Sequence, residues 1–217
     1  MKPTAHPAGV VATLIGDLIA SRTSLDRARL HTHLDQVLGE VNAMTSPVRP
    51  LWITAGDEFQ GTFPDVGSAV QASLLIRVRL APGQDVRHGI GWGATAVLDA
   101  RTGVEDGPGW WAARAAIEAV EEAEGSAGTR SLRTAYRLAE GAEGPDPRLV
   151  NAALVLRDER VTGLSARSMS VLRGLLSGET QRVLAEALGI SPSAVSQRVR
   201  ADGLAALVRA HELMGEV

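Results

Sequence analysis

Within the first hundred residues the apolar segments follow one order of length and period, and that order leaves few folds open. Residues 10–15 (VVATLI) are apolar on both faces, rich in β-branched side chains, and stop at Gly16-Asp17, as a buried central strand does. Leu25, Ala28, Leu30, Leu34, Val37, Leu38 and Val41 then recur at helical spacing, with Ser24 as the N-cap and Pro47 beyond the end. Residues 51–54 (LWIT) and 59–63 (FQGTF) flank Ala55-Gly56-Asp57-Glu58 as the arms of a hairpin flank its turn. Residues 65–80 read as a second helix. Residues 86–97 (VRHGIGWGATAV) read as a further strand whose glycines permit bends or close backbone approach. Strand, helix, strand, strand, helix, strand is the order of the α+β ferredoxin-like or palm arrangement, an antiparallel sheet with helices packed on one face.

After residue 100 the pattern changes. A glycine and proline loop leads into a helix from about Trp110, residues 130–158 are mixed with a helical stretch at 149–156, and a boundary falls near Thr162-Gly163. The expected domains are therefore 1–160 and a small all-α unit at 161–217. In that unit Ser177-Gly178 breaks one helix, residues 181–188 (QRVLAEAL) form a short helix ending at Gly189, and Ser191-Pro192 start the next as N-cap and first turn. Two helices joined by a short glycine turn describe a helix-turn-helix. If Ala194, Val195 and Val199 face the core, then Ser193, Ser196, Gln197, Arg198 and Arg200 face outward. Serine and glutamine suit base edges, and arginine suits bases or phosphates. Residues 164–217 hold six arginines against five acids, so the unit is weakly basic and tight DNA binding calls for a homodimer. The same pattern also suits an inert helical bundle or a dimerisation module.

Composition removes several chemistries. The chain has no cysteine, which excludes thiolate metal sites and a cysteine nucleophile. Lys2 is its sole lysine, which removes a P-loop lysine and Schiff-base chemistry from the interior. A net charge of -3 provides no global field for nucleic acid or membrane. No stretch approaches the roughly 20 apolar residues of a membrane span, and MKPTAHPAG lacks the features of a signal peptide, so a cytoplasmic protein is expected.

Two constellations remain. Asp17 at a strand exit and Asp57-Glu58 at a hairpin tip can meet at one sheet edge. Clustered carboxylates there are relieved by a divalent cation, Mg²⁺ or Mn²⁺, although acids at glycine turns also serve simply to cap loops. In Asp106-Gly107-Pro108-Gly109 the amides of Gly107 and Gly109 at a helix start, with Arg114 one turn in, can hold a phosphate group. A glycine and proline turn with tryptophans on the core and Arg114 in an ion pair accounts for the same residues.

IGDLIASR (15–22), AGDEFQGTF (55–63), RHGIGWG (87–93), DGPGWWAAR (106–114) and the terminal helix-turn-helix together resemble the SatD family. More distantly the first half is similar to class III nucleotidyl cyclases and GGDEF-type palm domains. That resemblance implies metal ligation by Asp17 and Asp57, and places a cyclase asparagine and arginine pair at Trp110 and Arg114, with tryptophan replacing asparagine. A base-selecting lysine would fall at Ile53. The terminal unit resembles the promoter-reading region of sigma factors. The expectation is a DNA-binding regulator whose palm binds a metal and a nucleotide or other phosphorylated ligand. The rival is a divergent cyclase or nucleotidyltransferase with a two-aspartate metal centre.

Overall fold

The computed structural model describes residues 9–19, 26–99 and 101–217; Ser24, expected as a helix cap, lies outside them, as do Lys2, His6 and Arg22. Six strands form one sheet: β1 (Gly9–Leu18), β2 (Arg49–Ala55), β3 (Glu58–Phe63), β4 (Val86–Asp99), β5 (Val104–Asp106) and β6 (Thr134–Leu138). Their order is β2-β3-β1-β4-β5, with antiparallel pairing, and β6 lies parallel to β4 along residues 88–92. The expected sheet was wholly antiparallel. The five residues of β6 sit in the stretch whose composition is mixed, and short strands there carry no periodic signature.

Side chains of β1 alternate between two buried faces. Ala12, Leu14 and Leu18 join one core with Leu34, Val37, Leu38 and Val41 of α1 (Arg27–Thr45) and with α2 (Val66–Leu80). Asp26, not Ser24, caps α1 by accepting from the Arg29 amide at 2.9 Å.

Helices do not keep to one face, and this corrects the sequence expectation. α3 (Pro108–Ala123) covers the opposite side, where Trp110, Ala113 and Ile117 pack on Ile15. Gly89, Gly91 and Gly93 occupy alternate positions of β4, so all three turn the same way and present bare backbone to α3. A Cβ on Gly91 would lie 2.1 Å from the Gly109 carbonyl oxygen and 2.4 Å from the Ala113 nitrogen. Thr13 Oγ1 sits beneath this contact and reaches the carbonyls of both Gly91 (3.1 Å) and Gly109 (2.8 Å).

The helical unit follows directly from α4 (Pro147–Thr162). It comprises α5 (Ala166–Leu176), α6 (Gln181–Leu188), α7 (Pro192–Ala201) and α8 (Leu204–Met214). α2 is buried along most of its surface, with only Ser68, Gln71 and Arg79 partly exposed, as suits a helix packed on several sides. Leu74 and Val78 of α2 belong to the second core, with Val161, Leu172, Leu184, Val195 and Leu207. The Gly67 amide donates to the Val217 carbonyl (3.1 Å), tying the last residue to the start of α2. The two units thus share a helix.

Asp158 of α4 is fully buried and ties its helix to α2 and to the start of β6. One oxygen accepts from the backbone amides of Arg133 (2.7 Å) and Thr134 (2.8 Å). The other meets Arg77 Nη1 (3.3 Å) and Arg157 Nη2 (3.0 Å). Arg77 continues to Asp85 and Thr162, and Arg157 to Ser73 and Thr134.

A buried histidine, His88, and a half-buried one, His211, lie close by. His88 has no exposed surface, and its Nε2 lacks a partner. Burial first, then the charges of Arg157 and Arg77, hold its pKa down at about 3. Burial likewise lowers His211 to about 4. Both folded pKa values lie below the unfolded value of about 6.5. Their neutral forms therefore support the fold in full above that pH, and the support is lost as pH falls towards 4. Between pH 7 and 5 each should cost about 1 to 2 kcal/mol of unfolding free energy. Urea midpoints at the two pH values check this; coincident midpoints would refute it.

Candidate functional site

Strand register builds the first site. Asp17 stands opposite Glu58 on β3 and opposite Arg87 on β4, and cross-strand partners share a face, here the one that α3 covers. Arg87 Nη1 is 3.1 Å from Asp17 Oδ2, while its Nε and Nη2 each lie 2.8 Å from Glu124, the C-cap of α3. Arg114 places two parallel bonds of 2.9 Å on Glu58. Both are charge-assisted, bidentate contacts of the stronger kind.

Burial pushes the Asp17 carboxyl above the ordinary carboxylate range; Arg87 opposes this, and the charges of Asp57 and Glu121 add to it. Asp17 Oδ1 is buried without a hydrogen bond. The Arg87 bonds hold Glu124 below its usual range, and the Glu58 bonds hold Arg114 more firmly protonated.

Sequence reasoning placed Asp17, Asp57 and Glu58 around one cation. The hairpin does bring Asp57 near enough to Asp17 for its charge to act there. Asp57, however, lines a small cavity on the α1 side with Leu18, Arg27, Leu30, His31 and Leu34. Asp17 offers a divalent ion an oxygen pair of which one is bonded to Arg87, and both oxygens of Glu58 are bonded to Arg114. As arranged, this donor set does not fit a resident Mg²⁺ or Mn²⁺. Among the described residues no group of three or more His, Asp or Glu side chains is disposed to hold a metal. Guanidinium already supplies the positive charge that the cluster needs.

Gly107 and Gly109 lie elsewhere. Gly107 adjoins Ala94 and Thr95, and Gly109 adjoins Gly93, whereas the carboxylate row sits at Arg87. Six strand residues separate 87 from 93, about 20 Å. The Gly107 amide donates to Asp106 Oδ1 at 2.7 Å, which also accepts from Trp111 Nε1 at 2.7 Å, and Gly109 is buried under the helix-sheet contact. Of the three expected phosphate contacts, only Arg114 reaches the carboxylate end.

Arg87 and Glu124 had no sequence signal that set them apart. Arg87 was visible only as the first residue of RHGIGWG, and its role depends on cross-strand register, which composition does not reveal.

The second site is α7. Gly189 closes α6 in the left-handed region (φ 63°), and Ser191 Oγ accepts from the Ala194 amide (3.2 Å) to open α7. α5 and α6 cross closely because Gly174 leaves room for Leu184, whose Cδ2 would be 2.1 Å from a Cβ there. Val195 and Val199 anchor α7 in the core.

Ser193, Gln197 and Arg200 are exposed and Ser196 half-buried; the spacing places all four on one face. From 193 to 200 this face runs about 10 Å, roughly three base-pair steps. Arg198 departs from the expected outward set. It is half-buried, its Nη1 lies 3.5 Å from Ser168 Oγ of α5, and its Nε is buried without a partner. One step beyond Gln197 is about 100° of rotation, which carries it off the exposed face.

The SatD family profile matches residues 11–216. No curated protein matches the chain. Among solved structures, two of a bacterial light-regulated adenylyl cyclase are similar to it, with 13% and 12% identity and TM-scores of 0.44 and 0.47. Each alignment covers 63% of this chain and 45% of the other. The chain thus spans less than half the length of those proteins. No helix of the described residues is long and apolar enough to cross a membrane.

Proposed function

Since the chain belongs to the SatD family over residues 11–216, we propose that this member is a DNA-binding transcriptional regulator. It works as a homodimer and reads the major groove with α7. The single observation supporting this is the polar face of Ser193, Ser196, Gln197 and Arg200, displayed on a helix whose opposite side is fixed by Val195 and Val199. Glutamine and arginine reach base edges by paired hydrogen bonds, serine by single ones, and Arg182 on the exposed side of α6 suits a phosphate.

The palm enters this reading as the responsive part. A nucleotide or other phosphorylated ligand competes with Glu58 for Arg114, and any Mg²⁺ or Mn²⁺ travels with the ligand's phosphates. No chemical step is assigned to it.

Selection from a random duplex pool with the purified full chain tests the reading. One sequence family should be enriched. Gln197→Ala and Arg200→Ala should each weaken binding to it about tenfold and relax the preference at a base position. Repeating the measurement with a nucleoside triphosphate and Mg²⁺ should shift the affinity in wild type and not in Arg114→Met. An unenriched pool, or variants that bind as wild type does, would remove the DNA reading. An affinity blind to nucleotide would remove the palm's part in it.

A further inference from the structure

The outer side of α4 carries an apolar stripe. Leu149 and Leu156 are 72% and 74% exposed, and Ala152 between them is exposed as well. The other side of the helix sends Val150, Leu154, Asp158 and Val161 into the protein, so α4 is rigidly held and its stripe is presented as a firm surface. Steps of three and then four residues, from 149 to 152 to 156, are those of a seam between two helices.

The charges beside the stripe point to what covers it. Arg148, with a side chain 92% exposed, precedes Leu149, and the exposed Glu159 follows Leu156 by three residues. Eleven residues are close to three full turns, so Arg148 and Glu159 lie on the same flank of the helix.

Let a second copy of α4 lie antiparallel, about a two-fold axis passing between Ala152 and Ala153. Leu149 of one copy then lies beside Leu156 of the other, and the reverse, as a closed two-fold contact requires. The alanines fall where the helix axes approach most closely. A two-fold axis of this kind keeps matching flanks together, so Arg148 comes within about 3 Å along the axis of the other copy's Glu159. That gap is easily spanned by an arginine. A parallel pair would leave these charges about 16 Å apart.

We propose that α4 is the self-association surface, and that its occupant is α4 of a second copy of this chain. The inference rests on the dimeric reading above and adds the interface to it.

Sedimentation of the full chain across micromolar concentrations tests it. Wild type should dimerise reversibly. Leu156→Glu, which places a carboxylate twice in the contact, should raise the dissociation constant by about 100-fold or more. Leu98→Glu, on the exposed apolar end of β4, should leave the constant unchanged. Arg148→Glu should loosen the dimer severalfold, and adding Glu159→Arg should restore it, because the exchange preserves only the antiparallel pairing.

A dimer indifferent to Leu156→Glu, one lost through Leu98→Glu, or a double charge exchange without recovery would overturn the α4 assignment. So would a Leu156→Glu protein whose association is intact and whose melting temperature falls, since the stripe would then be covered within the chain. If wild type selects paired half-sites from the DNA pool while α4 variants still dimerise, the regulator reading survives and the interface does not. A chain that is monomeric throughout and selects single half-sites would end the dimeric reading and the interface together, while the DNA reading would survive.

Discussion

Replacing Asp158 by alanine is expected to lower the unfolding free energy by about 3 to 5 kcal/mol, the range for removing one partner from a buried charge cluster. The loss has three sources. Arg77 and Arg157, with side chains only 5% and 10% exposed, each lose a carboxylate oxygen at 3.3 and 3.0 Å. The amides of Arg133 and Thr134 lose the acceptor that fixes the start of β6. α4 also loses its polar tie to α2 and the sheet. For a chain of this size the corresponding fall in melting temperature is on the order of 10 °C. Urea unfolding of the full chain checks it. Asp158→Asn should fall less far, because the amide keeps an acceptor while losing the charge. A change below about 1 kcal/mol in Asp158→Ala would mean that the apolar contacts of α2 alone hold the two units together.

Gly91→Ala should be nearly as damaging, costing at least about 3 kcal/mol, the upper end of overpacking effects. One methyl group is added, but the atoms that it meets are backbone. The Gly109 oxygen would be 2.1 Å away, the Ala113 nitrogen 2.4 Å and Thr13 Oγ1 3.0 Å. A side chain could rotate aside, whereas α3 must move as a body. Lifting it would also strain the Thr13 bonds and the packing of Trp110 on Ile15. Gly128→Ala, where no atom lies within 4 Å of the added carbon, is the comparison and should be close to neutral. Equal stability of the two variants would show that α3 is not seated by the glycines.

The elements that were legible were those with a strong period. α1, α2 and the helices after Leu164 announce themselves through apolar spacing, caps and breaks. The helix-turn-helix could be read because Gly189, Ser191 and Pro192 each have a local conformational reason to stand where they do. β6 and the position of α3 were not legible. A five-residue strand beside its neighbour has no period of its own, and three glycines in a strand permit a bend as readily as a helix laid across them.

The candidate sites divide in the same way. Ser193, Gln197 and Arg200 emerged outward because one helix fixes their relative positions, while Arg198 turned to α5 because a single residue step rotates a side chain off the face. The carboxylates and Arg114 were singled out, the latter with an ion pair as one of its readings, but Arg87 was not, nor which carboxylate each guanidinium binds. Arg87 is 70 positions from Asp17, and Arg114 is 56 from Glu58.

By itself the sequence determined the strongly periodic helices and strands and the caps and breaks around α6 and α7, since each follows from interactions within a turn or two of chain. Tertiary structure alone decided that Arg87 pairs with Asp17 and Arg114 with Glu58, that the glycine loop lies at the far end of the sheet, and that α2 serves two cores. Charge pairing acts over a few ångströms of space, and only strand register and helix packing bring residues so distant along the chain within that range.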